Sequence, residues 1–512
     1  MNLAAMIRQA VIQHPEGVAL DDGQVKLTYQ EFHRRAGALA RFFLDQGIKP
    51  GDRIAVSLPN LTEAMVLAYA TWWVGGIFVP LNTRWSVSEL EVVVNDAAPR
   101  FLVIPGDLRQ TWIREKRSLG STLLGVRDFE AQDGMSTDQI VAGRGQESLP
   151  PLAPRKDGDP ALLMYTSGTT GRPKGVIQTH RNNSAAVAML QESWEITRSD
   201  RFLVAVPLFH VGGMQCAALP ALATGAVVYL LPRWSPDAWL SIASRYRPTV
   251  TGLVTTMLVD LIRAGMAHPE NIPDLSSLRI AMMGGSPTPF KVVDDFHRLY
   301  GVGLKELYGQ TELTGLAVTY RADEAWRPGS MGRPMSHVLE TAVSVDDRVV
   351  HPVTAPVTGD LCFRGETVSP GYWHLPDQTQ ARWRDGWYRT GDIVSVDGDG
   401  YLSYRDRSDD MIVTGGENVY PAEVEALLSE IPQIRQVAVI GTPHPRWGEQ
   451  VTAVIVPREP DLTVDDMVQA IGRHTGLADY KRPRRIELLA ELPRTGSGKV
   501  NRTWLKQTYG GK

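Results

Sequence analysis

RIAVSLPNLTEAMVLAYATWWVGGIFVPLN, residues 53–82, alternates between two kinds of apolar pattern. RIAVSLP, from Arg53, is a short β-branched run with the character of a buried strand. LTEAMVLAYATWWVGG then has the length and composition of a helix closed by a glycine pair, and FVPLN, from Phe78, is the next strand. Within it, Met65 to Leu81 is the most apolar stretch of the chain, but Thr71, Gly75, Gly76 and Pro80 interrupt it. A membrane span needs about 20 predominantly apolar residues, so this stretch reads as a buried helix leading into a buried strand. The same rhythm returns at FLVAVP (Phe202), VVYLLP (Val227), TVTGLV (Thr249) and RIAMMGG (Arg279). Strands alternating with helices predict an α/β fold with parallel-rich sheets.

From Leu339 the pattern changes. TAVSVDDRVVHPV, GDLCFRG and GYLSYRDR are short β segments separated by turns, which predicts a β-rich subdomain. After Arg407 helices and strands resume, at PAEVEALLSEI, VAVIG and TAVIVP. The expected organisation is a large N-terminal domain over 1–407 and a small α+β C-terminal domain over 408–512.

The 512 residues carry 53 Lys+Arg against 57 Asp+Glu, a formal net charge of −4, the opposite of a nucleic-acid-binding balance. Hydrophobic residues at 43% and charged residues at 21% are those of an ordinary globular chain. Cys216 and Cys362 are too few for a disulfide framework or a Cys-rich zinc site. The opening MNLAAMIRQAVIQHPEG has neither the apolar core nor the cleavage site of a secretion signal, and a reducing, cytoplasmic location is expected.

The chemistry-bearing stretch with the strongest signal is YTSGTTGRPKGV, from Tyr165. It places Thr166, Ser167, Thr169 and Thr170, the glycines Gly168, Gly171 and Gly175, and Lys174 in one short loop. Glycines let backbone N–H groups approach an anion, hydroxyls donate to phosphate oxygens, and lysine supplies compact positive charge. The spacing does not fit a Walker A loop. Four further motifs follow in order: YGQTE at Tyr308, WYRTGD at Trp387, YRDRSDDMIVTGGENVYPAEVE at Tyr404 and PRTGSGK at Pro493. Together they resemble the signature set of the adenylate-forming superfamily, and of its acyl-CoA synthetases in particular. The resemblance spans essentially the whole chain.

That resemblance implies a two-step reaction. A carboxylic acid and ATP give an acyl-adenylate and pyrophosphate, and a thiol, coenzyme A, then takes the acyl group. It implies ATP, Mg²⁺ and coenzyme A as partners, no nucleic acid, and leaves room for a homodimer. Tyr308 would offer a flat face to a purine, Thr311 would contact phosphate, and Glu312 would bind Mg²⁺, which takes one or two carboxylates plus phosphate oxygens. GGSP (Gly284, Gly285, Ser286) resembles the turn that lines the adenine and acyl pockets. Asp392, with Arg407, would hold the ribose. Asp409 matches the hinge of a mobile C-terminal domain, and Ser408–Asp409 is a mild variant of the commoner pattern there. Lys499 would bridge the carboxylate and the α-phosphate, and Gly415 and Gly416 would lie near the thiol tunnel.

FHVGG at Phe209 resembles an acyl-pocket motif, so His210, Met214 and Gly315 are candidate pocket residues. VTTM at Val254 carries Thr255 where related enzymes often have proline. The string set fits a fatty or other hydrophobic acid best. Aryl-acid CoA ligases and stand-alone adenylation enzymes that charge a carrier protein are the alternatives.

Overall fold

The computed structural model describes residues 2–105, 121–127, 135–144, 147–166, 173–285, 288–335, 339–345, 348–350, 356–407, 410–414, 417–473, 479–495 and 498–510. Its contacts group into two units. The first comprises Met1–Gly168, Arg172–Glu340 and Arg364–Tyr388; the second comprises Thr341–Phe363 and Arg389–Lys512.

The first unit holds two sheets. In one, Thr122–Leu124, Phe101–Val103, Arg53–Val56, Ile77–Pro80 and Pro160–Thr166 run parallel, and Lys174–Thr179 joins antiparallel at the end. In the other, Lys305–Gln310, Ile280–Gly284, Val250–Leu253, Arg201–Val204, Val227–Leu230 and Val18–Asp21 form a parallel centre with antiparallel edges. The predicted strands at Arg53, Phe78, Phe202, Val227, Thr249 and Arg279 are all present within a residue or two.

The helix Thr62–Trp73 explains why its sequence has no polar face. All twelve of its residues are buried. A helix apolar all round has to be enclosed by protein or lipid, and here helices and sheets enclose it. No helix among the described residues is long and apolar enough to cross a membrane. Trp72 is fully buried, meets Phe78 edge-on at 6.2 Å, and donates its indole N–H to the Ala161 carbonyl at 2.9 Å. The helix is thereby fastened to the strand Pro160–Thr166, which leads into the Ser/Thr/Gly loop.

Strands Leu339–Val345, Arg348–Val350, Val357–Gly365, Trp387–Val396 and Leu402–Arg407 form the predicted β-rich sheet. Most of its residues group with the second unit, so the contact division falls earlier in the chain than Arg407. Antiparallel pairing is the reason: Asp392 opposes Arg407 and Val396 opposes Leu402, which keeps 389–407 together. Beyond it, Ile434–His444 and Gly448–Pro457 pair along almost their whole length, with Arg485–Leu488 parallel to the latter. Helices Pro421–Leu428 and Val464–Arg473 supply Val424, Leu428, Met467 and Ile471 to the core of this α+β unit.

Trp72→Ala removes a buried indole and its hydrogen bond. A loss of about 3–5 kcal/mol is expected, read as an earlier urea midpoint of the first unit.

Candidate adenylate-forming site

In the first unit the hairpin Pro160–Thr166/Lys174–Thr179 sets Thr166 directly across from Lys174. Ser167, Gly168, Thr169, Thr170 and Gly171 lie outside the described residues. The two ends of the loop are thus fixed side by side. Lys174 is half-buried, with Nζ 5.4 Å from the centroid of the Tyr372 ring.

Tyr308 is buried on Lys305–Gln310, the strand that ends the parallel run before the turn Thr311–Leu313. The chain then reverses and pairs antiparallel as Gly315–Thr319. This reversal explains the second residue of YGQTE: a Cβ on Gly309 would lie 1.9 Å from the Gly315 carbonyl oxygen. Thr314 takes a left-handed conformation at φ 57°, and its hydroxyl donates to the Thr367 carbonyl at 2.7 Å. The turn is clamped by three more bonds. Gln178 Nε2 donates to the Thr311 carbonyl at 3.0 Å. The Ser369 amide donates to the Glu312 carbonyl at 2.8 Å. The Tyr372 hydroxyl donates to Glu312 Oε1 at 2.8 Å.

Gly284 ends the strand Ile280–Gly284, and Gly285 follows with φ 85°; Ser286 lies outside the described residues. His210 is half-buried at the start of Val211–Gly213, its ring 4.7 Å from that of Phe209. Met214 opens the π-helical turn Met214–Ala218 and is wholly buried in the core. Such turns inside helices are frequent at functional sites. The next residue, Gln215, donates from Nε2 to Gln178 Oε1 at 2.7 Å, which links the π-helical turn to the Thr311 carbonyl. Gly315 lies against this turn, the position of its missing Cβ 3.0 Å from Cys216 Sγ. Thr255 is the first residue of the helix Thr255–Ala267, where proline is well tolerated. Its hydroxyl is within 2.8 Å of the Thr288 hydroxyl, a link that proline could not make.

In the second unit, Asp392 and Arg407 face each other across antiparallel strands and pair at 2.9 Å between Oδ1 and Nε. Asp392 is buried, with its amide donating to Thr390 Oγ1 at 3.0 Å, while Arg407 is half-exposed. Lys499 is exposed on a tight hairpin. The Thr495 amide donates to the Lys499 carbonyl at 2.7 Å, and Arg494 bridges Val500. Asn501 then caps the helix Arg502–Tyr509. Asp409, Gly415 and Gly416 lie outside the described residues.

The chain matches the model of AMP-binding enzymes over residues 7–373 and that of the AMP-binding enzyme C-terminal domain over 423–499. The chain belongs to the AMP-binding enzymes. It is 36% identical to a feruloyl-CoA synthase from Amycolatopsis over 502 residues, covering 97% of this chain and 96% of that one. The structure of ATP-bound MatB from Rhodopseudomonas palustris superposes with a TM-score of 0.88 at 28% identity, covering 100% of this chain and 99% of that one. The anthranilate CoA ligase AuaEII with anthranoyl-AMP gives 0.89 at 25% identity, covering 99% and 97%. This AMP-binding enzyme is an acid–CoA ligase of the AMP-forming kind that works through an acyl-adenylate.

Several residues of this AMP-binding enzyme escaped the sequence reading. Gln178, Gln215, Ser369 and Tyr372 reach the turn at Thr311–Glu312 directly or through one another, Gln178 from 133 residues away and Tyr372 from 60. No local pattern marks them, because their partners meet only when the sheets assemble. Asp406, Glu425 and Arg502 form a second such group. Asp406 accepts from the Ala422 amide at 2.8 Å. Glu425 pairs with Arg502 and accepts from the Val439 amide at 2.7 Å. Arg502 also lies 3.7 Å from Asp410, and Lys506 pairs with Asp410 at 3.0 Å.

Burial pushes the Asp406 carboxyl up to about 6, against the amides of Ala422 and Arg407 that favour its charged form. A carboxyl raised in the folded state contributes stability at low pH and loses it as the pH climbs through about 6. Asp406→Asn should therefore match the wild type in urea unfolding near pH 4 and exceed it by on the order of 2–3 kcal/mol above pH 7. Parallel stability curves for the two proteins would contradict this.

Proposed function

We propose that this enzyme activates a hydrophobic carboxylic acid, an aromatic one ahead of a fatty one, and passes it to coenzyme A. The observation that carries the reading is the held carboxylate of Glu312, at the end of a parallel strand and four residues after the flat ring of Tyr308. The 36% identity to a feruloyl-CoA synthase supports the aromatic preference. The apolar surroundings of Met214 and Cys216 suit either class.

In the first step a carboxylate oxygen of the acid attacks the α-phosphorus of ATP. The bond from that phosphorus to the bridging oxygen breaks, and pyrophosphate leaves with the electron pair. Lys174 and the hydroxyl-rich loop hold the phosphates, Tyr308 faces the adenine, and Thr311 donates to phosphate. Gly284, Gly285 and Ser286 line the adenine and acyl pockets, with His210 and Gly315 beside the acid. Asp392 and Arg407 take the ribose hydroxyls. Lys499 stabilises negative charge developing between carboxylate and phosphate, which is where such reactions gain most. In the second step the thiol attacks the acyl carbon and AMP leaves, with Gly415 and Gly416 flanking the approach. A domain of 408–512 turning about Asp409 would exchange Lys499 for the thiol.

Among the described residues no group of three or more His, Cys, Asp or Glu could hold a metal unaided. Glu312 fits a different arrangement, one carboxylate sharing Mg²⁺ with the nucleotide's own oxygens. Bound there, the cation would offset the charge of the leaving pyrophosphate.

Coenzyme A, an anionic adenine nucleotide, suits the second unit's surface. Lys481, Arg482, Arg484 and Arg485 follow one another closely. The guanidinium of Arg484 lies 4.1 Å from the centroid of Trp447, which also stacks on the His444 ring at 4.0 Å and carries Arg446 at 5.9 Å.

The test is pyrophosphate release from Mg·ATP across cinnamate-type, arylacetic, benzoic, fatty and amino acids, with and without coenzyme A. Release with aryl acids, and acyl-CoA only when coenzyme A is present, is expected. A fatty-acid-only response would overturn the aromatic preference, and release without acyl-CoA would overturn the acceptor. Lys499→Ala should lower adenylation by at least about 100-fold and leave thioester formation from supplied acyl-AMP within a few-fold. An equal fall in both half-reactions would refute the role given to Lys499.

A further inference from the structure

SPGYW, residues 369–373, is a strap in the first unit. It is stitched along the free edge of Lys174–Thr179. The Ile177 amide donates to the Gly371 carbonyl at 3.0 Å, and the Trp373 amide donates to the Gly175 carbonyl at 2.7 Å. Between them Tyr372 bridges Val176 antiparallel. The Ser369 hydroxyl adds a bond to the Ile177 carbonyl at 2.6 Å. The other side of the strap holds the metal-motif turn, through Ser369 N–H to the Glu312 carbonyl and Thr367 C=O to the Thr314 hydroxyl.

Tyr372 is therefore fixed before its side chain does anything. Its amide donates to Thr379 Oγ1 at 3.0 Å. The ring is 8% exposed and meets Trp383 edge-on at 5.3 Å. A tyrosine has two side-chain torsions, so a pinned ring leaves its hydroxyl a small arc. That hydroxyl donates to one oxygen of Glu312, Oε1, at 2.8 Å, while the ring's centroid lies 5.4 Å from Lys174 Nζ. One side chain thus touches the candidate metal carboxylate and the candidate phosphate lysine, which are 138 residues apart in the chain.

We propose that Tyr372 is a positioning residue for the metal–nucleotide complex: its hydroxyl occupies Oε1 of Glu312 and so presents Oε2 to the divalent cation that ATP brings. The inference rests on Glu312 being that cation's ligand. Mg²⁺ demands near-octahedral geometry at short range, and a swinging carboxylate meets that demand in few of its rotamers. An O–H bond to a carboxylate is charge-assisted and short, strong enough to select one rotamer. Groups that orient a metal ligand typically contribute about 10–100-fold to metal affinity.

Tyr372→Phe keeps the ring, its packing and its place under Lys174, and removes only the hydroxyl. The experiment is calorimetric ATP binding, with excess Mg²⁺ and with EDTA, for wild type, Tyr372→Phe, Glu312→Gln and the double variant. Tyr372→Phe should weaken Mg·ATP about 10-fold and leave metal-free ATP within about 2-fold. Glu312→Gln should weaken Mg·ATP at least as much, and the double variant no more than Glu312→Gln alone, since the hydroxyl then has no carboxylate to orient. Wild-type Mg·ATP affinity in Tyr372→Phe, beside a loss in Glu312→Gln, would overturn the inference and leave the Glu312 reading standing. No metal-dependent loss in Glu312→Gln would overturn both. Equal loss of metal-free and Mg·ATP binding in Tyr372→Phe would assign the tyrosine to packing and overturn the inference as well.

Discussion

Everything at the first unit's site depends on the pairing of one strand, Lys174–Thr179. One edge is bonded to Pro160–Thr166 and the other to the strap at 371–373. A strand with both edges satisfied is a rigid ruler, and side chains two residues apart share a face. Lys174 and Gln178 are four apart, so both emerge on one side, and they reach the Tyr372 ring and the Thr311 carbonyl respectively. The end of the Ser/Thr/Gly loop and the turn Thr311–Leu313 are thereby fixed to the same element. Glycine at 309 completes the arrangement by letting two backbones come within contact distance.

The second unit solves a different problem, that of keeping charge indoors. Asp392 and Asp406 are both nearly inaccessible, and Glu425 and Arg502 are half-buried. Removing such groups from water costs several kcal/mol each unless partners replace the solvent. Arg407 does this for Asp392, whereas two amides for Asp406, and Arg502 with the Val439 amide for Glu425, offset only part of the cost, and burial still raises both carboxyls. The half-buried pair Glu425–Arg502 ties the helix Pro421–Leu428 to the one that follows Lys499. A lysine on an exposed hairpin is thus based on a stiff support three residues away.

Much of this was legible in the chain. The strand–helix rhythm from Arg53 to Asn82 fixed the sheet type, because a run apolar on all sides has to be covered on all sides. The five motifs stood out in the chain, and they single out Lys174, Glu312, Asp392, Arg407 and Lys499 as the candidate site residues. Thr255 stood out against the proline that related enzymes often carry there, and its hydroxyl has a partner in Thr288. Tyr372, Gln178, Gln215 and Arg502 were invisible. Each is ordinary in its local sequence, and each acts on a group at least 37 residues distant.

The amino-acid sequence by itself determined the α/β class, the strands and helices of the first unit, and which side chains carry charge or hydroxyls in motif order. These follow from periodicities of two and 3.6 residues and from short-range backbone chemistry, all of which are local. The tertiary structure alone decided which of those side chains are held and by what. That Glu312 is gripped by a tyrosine 60 residues onward, or that Asp392 opposes Arg407, is set by strand register. Register comes from the burial of whole sheet faces at once, a property of the assembled core that no short stretch of chain contains.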